Sequence, residues 1–134
     1  MINGLFDNFV PLNIRLPGEA QARRAAVKNC LVSGLPPLAY ASIDGVHIKV
    51  KPPKADKLIY ICRHGYASLN AMMLCAPDTY IHYVKSDCPG SFHDSRVFKE
   101  SNLYKLFDED NWVPFPDAFI CADAAYETFK VRCK

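Results

Sequence analysis

Three aspartates stand in short, distinctive settings: Asp44 in Ile43-Asp44-Gly45, Asp94 in Pro89-Gly90-Ser91-Phe92-His93-Asp94-Ser95, and Asp123 in Cys121-Ala122-Asp123-Ala124-Ala125-Tyr126. Carboxylates collected from distant segments are how proteins hold Mg²⁺ or Mn²⁺, because hard divalent ions take oxygen ligands. Two such ions, about 3.5–4 Å apart, stabilise both the attacking and the leaving oxygen of an in-line displacement at a phosphodiester. Spacing alone carries little weight, since the chain holds 14 acidic residues and surface aspartates ordinarily face water. His47 and His93 flank two of the three; a histidine there suits a metal or a phosphate, and equally suits ordering its own loop. Ser91 and Ser95 beside His93 do not make a hydrolase, because no G-x-S-x-G elbow is present and adjacency in sequence is not triad geometry.

Apolar segments run up to each aspartate. Leu38-Ala39-Tyr40-Ala41-Ser42-Ile43 predicts a buried strand with Asp44-Gly45 at its exit, and the alternating Val46–Val50 predicts an extended continuation or a second paired strand. Leu58–Cys62, Ala67–Cys75 and Thr79–Lys85 predict two or three further strands in an antiparallel meander, closed by a turn at Asp87-Cys88-Pro89-Gly90. The period then changes. Val97, Leu103, Tyr104, Leu106 and Phe107 suit a helix packed on the sheet, with Asp94 or Ser95 as its N-cap, and Ala118–Ala122 predicts a last buried strand ending at Asp123. Ahead of all these, Gly18–Val32 predicts a helix. Its apolar side carries Ala22, Ala25, Ala26, Val27, Cys30 and Leu31, with Arg23, Arg24 and Lys28 on a solvated side, and Gly34 with Pro36-Pro37 ends it.

At 134 residues, half of them hydrophobic and 12% aromatic, the chain suits one domain with a real core and argues against general disorder. A net charge of +2 permits a nucleic-acid partner without requiring one. The most basic stretch is Lys49, Lys51, Lys54, Lys57 and Arg63; it suits either the DNA backbone or a solvated loop. Six dispersed cysteines with no C-x₂-C pair speak against a zinc ribbon, and the absence of a basic-then-apolar leader favours reduced thiols in an intracellular protein. No apolar run reaches the ~18 residues that a membrane span needs, so no membrane is expected as a partner. Tyr66, Tyr80, Tyr83 and Trp112 are expected to pack rather than to stack on bases.

Four blocks in order closely resemble the nuclease domain of the PIF/Harbinger transposases and the domesticated nucleases derived from them. They are Ser42-Ile43-Asp44-Gly45-Val46-His47-Ile48, Arg63-His64-Gly65-Tyr66-Ala67-Ser68-Leu69-Asn70, Pro89-Gly90-Ser91-Phe92-His93-Asp94-Ser95, and Ala122-Asp123-Ala124-Ala125-Tyr126. The family reads D-G-T-H-I, R-K-G-x-x-S-x-N, P-G-S-x-H-D-S and G-D-x-G-Y. The resemblance implies an α/β, RNase H-like mixed sheet, a three-stranded antiparallel meander plus a parallel strand, with flanking helices and incomplete here. It implies a DDE-type, Mg- or Mn-dependent nuclease acting on DNA in the nucleus and cytoplasm. A separate Myb-like, helix-turn-helix DNA-binding protein is the partner it suggests. Carried over residue by residue, the catalytic aspartates fall on Asp44 and Asp123, and the metal set on Asp44, Asp94 and Asp123. His47 and His93 are then candidates for a place beside the metal ligands, and the basic stretch offers Lys49, Lys51, Lys54 and Arg63 as candidate DNA backbone contacts, a solvated loop being the alternative. Residues 1–37 read as a helical lead-in and residues 38–134 as the nuclease domain.

The chain departs from the family pattern at several places. Val46 replaces the usual Thr, Ala122 and Ala125 replace glycines, and His64 stands where Lys is frequent. The family's last acid is a glutamate on a helix well past the G-D-x-G-Y block, whereas Glu127 follows Asp123 too closely and reads as solvent-facing. The expectation is therefore a partial nuclease domain, either a fragment or a decayed copy. A surviving remnant would act as a DNA- or protein-binding module without catalysis.

Overall fold

The strand that carries Asp44 does not stop at it. In the computed structural model, which describes residues 14–123, β1 runs unbroken over Ala39–Lys49 and straight through Asp44-Gly45. Asp44 therefore lies mid-strand and not at a strand exit. The absent Gly45 side chain lets the ladder continue past a crowded point, and pairing with the next strand holds from Ser42↔Cys75 to Lys49↔Ser68. That partner, β2 (Ser68–Cys75), pairs antiparallel on its other side with β3 (Ile81–Pro89). The last strand, β4 (Phe119–Ala122), pairs parallel with the first half of β1. The order is β3-β2-β1-β4, a mixed sheet of an antiparallel meander plus one parallel strand with flanking helices, RNase H-like as expected.

Three local expectations need correction. Residues near Leu58 form a short helix, α2 (Lys57–Tyr60), and only Ile61↔Ala67 survives there as an isolated bridge. Pro52-Pro53 just upstream withholds two backbone donors, so no ladder extends through this region. The expected turn at Asp87-Cys88-Pro89-Gly90 is strand through Pro89, with Leu69↔Pro89 in register. The single helix expected after it is two, α3 (Asp94–Lys99) and α4 (Asn102–Asp108). Ser101 divides them by capping the second, accepting from the Tyr104 N–H at 3.1 Å.

The first helix, α1 (Glu19–Ser33), falls where its pattern placed it and ends at Gly34, but its buried side is only Ala22, Ala25 and Ala26. Small side chains at that spacing let the helix lie close to the sheet, and Val27 and Leu31 are turned outward at 52% and 81% exposed. Asn29 ties the helix to β1 by donating from Nδ2 to the Ala39 carbonyl at 3.0 Å. One continuous core joins these alanines to Tyr40, Ala41 and Ile43 of β1, Met72 and Leu74 of β2, and Val97, Phe98, Leu103 and Phe107 of α3 and α4. All five described cysteines are free thiols; Cys62 and Cys88 are buried and the others half-buried.

Candidate functional site

Pairing between β1 and β4 ends at Ile43↔Ala122. The next residue on each strand is an aspartate, Asp44 and Asp123, both exposed. Parallel register sends them to the same side, and they line one small surface depression together with Ser42 and Cys121. Past this point the free side of β1 opens into a larger cleft of about 360 Å³. Asp44, Gly45 and His47 reach it from β1, Asn70 from β2, Arg63 from the turn before β2, and Asp123 from the end of β4. The remaining wall is the Gly90–His93 loop and the first turn of α3, which bring His93 and Asp94. All three sequence-predicted aspartates, both histidines and Arg63 thus meet at one cleft. Lys49, Lys51 and Lys54 are exposed outside its lining.

Each aspartate is held differently. Asp44 Oδ1 accepts the Gly45 N–H at 2.8 Å. Its charge reaches the sheet beside it: burial first, and the Asp44 carboxylate second, push the Cys75 thiol up from its ordinary value. Asp94 comes from the helix-covered face. The expected N-cap is not made: His93 occupies that position, no side chain caps α3, and Asp94 Oδ1 instead accepts from Asn70 Nδ2 at 2.8 Å. The second Nδ2 proton goes to the Phe92 carbonyl at 3.0 Å. Asn70 is 1% exposed, and its Oδ1 is buried without a hydrogen-bond partner.

Gly45 explains why these groups fit. A Cβ there would meet Asp94 Oδ1 at 2.6 Å and Asn70 Oδ1 at 3.2 Å. Two oxygens are packed where any other residue has a side chain. His47 is fixed from behind, its Nδ1 lying 3.0 Å from the Oγ of fully buried Ser68. Among the described residues, no three His, Cys, Asp or Glu side chains converge tightly enough as they stand to enclose a metal ion. The donor set nonetheless suits a hard cation in kind: carboxylates at one cleft, an orphaned amide oxygen, and a cradle kept clear by glycine. Glu127 and Tyr126 lie outside the described residues.

Sequence reasoning passed over Asn70 and Gly45 as functional residues. Both stood inside the quoted blocks, and the signal was there: a polar amide in an otherwise apolar strand, and a glycine in a strand interior, both mark close approach.

Residues 43–133, more than half of the chain, match the family described as DDE superfamily endonuclease. The human protein named "Putative nuclease HARBI1" is 31% identical over 106 residues, covering 75% of this chain and 30% of the human protein. The rat protein of that name is 31% identical over 86 residues, covering 61% of this chain and 24% of its own length. The bovine one is 32% identical over 75 residues, with 53% and 22% covered. This chain thus spans 30% or less of the length of these relatives. No solved structure matches it.

Proposed function

Because the chain belongs to the DDE superfamily endonucleases, we propose that it is the catalytic-domain portion of a Harbinger-type DNA nuclease or transposase. Asp44 and Asp123 hold Mg²⁺ or Mn²⁺ in this reading, with Asp94 as a further ligand. The nuclease domain covers residues 38–134, with 1–37 as its helical lead-in. Action on DNA, aided by a Myb-like DNA-binding partner and located in the nucleus and cytoplasm, belongs to the same proposal. The observation that carries it is the β1/β4 register, which ends one residue short of both aspartates and leaves them side by side at the mouth of a polar cleft.

A divalent cation, when bound, supplies charge to a phosphodiester and an activated water. The chain's own residues do the rest. The Gly45 N–H orients the Asp44 carboxylate, and Asn70 orients Asp94. Arg63 offers a cation to a phosphate in the cleft, and His47, pinned through Nδ1, lines the same cleft. A second reading, a non-catalytic remnant that binds DNA or protein, is favoured by one observation: among the described residues no three acidic, histidine or cysteine side chains converge tightly enough to enclose a metal ion.

Nicking of supercoiled plasmid with Mn²⁺ separates the two. The nuclease reading expects nicking that a chelator stops. Asp44→Asn or Asp123→Asn should lower it more than about a hundredfold, beyond the 10–100-fold typical of groups that only orient a ligand. Retarded but uncut plasmid supports the binding module, and nicking that survives both substitutions removes the metal assignment.

A further inference from the structure

A hairpin tip beside the cleft carries rings and cations that the cutting chemistry leaves without a role. The Cys62 N–H donates to the Tyr66 carbonyl at 3.0 Å, and the Gly65 N–H to the Cys62 carbonyl at 2.9 Å. Gly65 makes the reversal at φ 83°, a conformation open to glycine and strained for other residues. His64 and Tyr66 emerge from this turn with rings stacked, 6.1 Å between centroids and 15° between planes. His47 meets His64 edge-on at 6.2 Å and 82°, so the ring series runs from the cleft outward. Lys49 Nζ lies 4.9 Å from the Tyr66 centroid, and Arg63, next to His64, lines the cleft itself.

This is not core packing. Of the four aromatics expected to pack, Tyr83 and Trp112 lean on the hydrophobic core, whereas Tyr66, like His64, lies outside that cluster and Tyr80 is 59% exposed. His64, Arg63 and Lys49 are exposed and Tyr66 is half-buried. Among the described residues, neither Lys49 nor Arg63 has a carboxylate partner. The turn's hydrogen bonds hold the tip in shape. They also act on its buried thiol: burial pushes Cys62 up, but the backbone of His64 and Tyr66 and the Ser68 hydroxyl outweigh it and leave the thiol below its ordinary value.

We propose that His64 and Tyr66 form a stacking platform for unpaired bases of a DNA strand whose phosphates lie on Lys49 and Arg63 as it enters the cleft. This deepens the nuclease reading and rests on it for the strand's destination. Aromatic faces flanked by cations suit single strands, because every unpaired base presents a face that duplex stacking hides. Cations alone would serve duplex and single strand alike. The combination at one tip points to the unpaired strand.

The test is fluorescence anisotropy of the whole chain in EDTA, with a short labelled oligothymidylate and a duplex of the same length. His64→Ala and Tyr66→Ala should each weaken oligothymidylate binding by about fivefold or more, with duplex affinity unchanged. Tyr66→Phe keeps the ring and should bind like the parent. Lys49→Ala should flatten the salt dependence on the single strand by about 0.7 in log–log slope. His64→Ala alters an exposed residue, so it decides the matter should Tyr66→Ala fail to fold. No oligothymidylate binding by the parent, or equal losses on duplex and single strand, overturns the platform. Manganese-dependent nicking of plasmid by the same preparations separates the two proposals. Nicking absent with ring-dependent binding intact defeats only the nuclease reading; nicking present with binding indifferent to both rings defeats only the platform.

Discussion

The two halves of β1 share one backbone and do opposite work. From Ala39 to Ile43 the strand is buried nearly throughout, flanked by β4 on one side and β2 on the other. From Asp44 to Lys49 it keeps β2 but has lost β4, and its side chains are polar or exposed. The change falls between two neighbouring residues, Ile43 at 3% exposed and Asp44 in the open. Where β4 and β2 both flank the strand, its inward side chains are locked in the core and only Ser42 faces solvent. Where β4 is lost, the strand offers a carboxylate at an open edge, while the buried half fixes where that carboxylate points. Stability and chemistry are thereby separated along a single element.

Substitution at the boundary should expose that division most strongly. Ile43→Ala removes a fully packed side chain and should lower unfolding free energy by about 2–5 kcal/mol, read by chemical denaturation. Asp44→Ala, one residue on, should change stability by less than about 0.5 kcal/mol, as for exposed sites lacking buried partners. Comparable losses at both positions would mean that the outer half of β1 is structural as well.

Gly45→Ala probes the outer half from within. Its φ is ordinary for a strand, so the cost is spatial: the new methyl meets Asp94 Oδ1 and Asn70 Oδ1. The side chains must move apart, at a cost of about 1–3 kcal/mol typical of overpacking. The accompanying loss of Mn²⁺ binding, measured by calorimetry, should exceed that of any exposed lysine variant. An unchanged affinity would separate the Asn70–Asp94 pair from the site.

How far the sequence revealed this follows from the same contrast. The inner halves were legible because burial imposes a pattern: apolar runs located β1, β2 and β4, and the alanine spacing located α1. Asp44, Asp94 and Asp123 stood out by the wording around them, and all three line one cleft. What escaped were places where tertiary fit overrides local signal. Asp87-Cys88-Pro89 looks like a turn yet lies in β3, because the Leu69↔Pro89 pairing needs no donor from proline. Leu58 and Ile59 look like strand residues, yet they sit exposed on a short helix at 85% and 46%. Asn70 stood in a family block without a role, since its partners Phe92 and Asp94 lie far away in the chain.

The third surface, the outer strand β3, supplies the smallest test and a reference for the other two. Lys85 Nζ meets Asp87 Oδ1 at 2.8 Å, but the Asp87 side chain is 76% exposed. The hydrogen bond from Lys85 holds the Asp87 carboxyl below its ordinary value of 3.8, against a smaller opposing effect of burial. A carboxyl lowered by folding adds stability that is complete above its unfolded pKa and is lost as pH falls through the folded one. Asp87→Asn should therefore cost at most about 0.5 kcal/mol at neutral pH, since solvent screens so exposed a pair. That difference should shrink to nothing under acid conditions below the lowered pKa, in denaturation series run from neutral pH downward. A larger or pH-independent loss would show that β3 depends on this pair as β1 depends on Ile43, and that the separation of structural from chemical positions does not extend across the sheet.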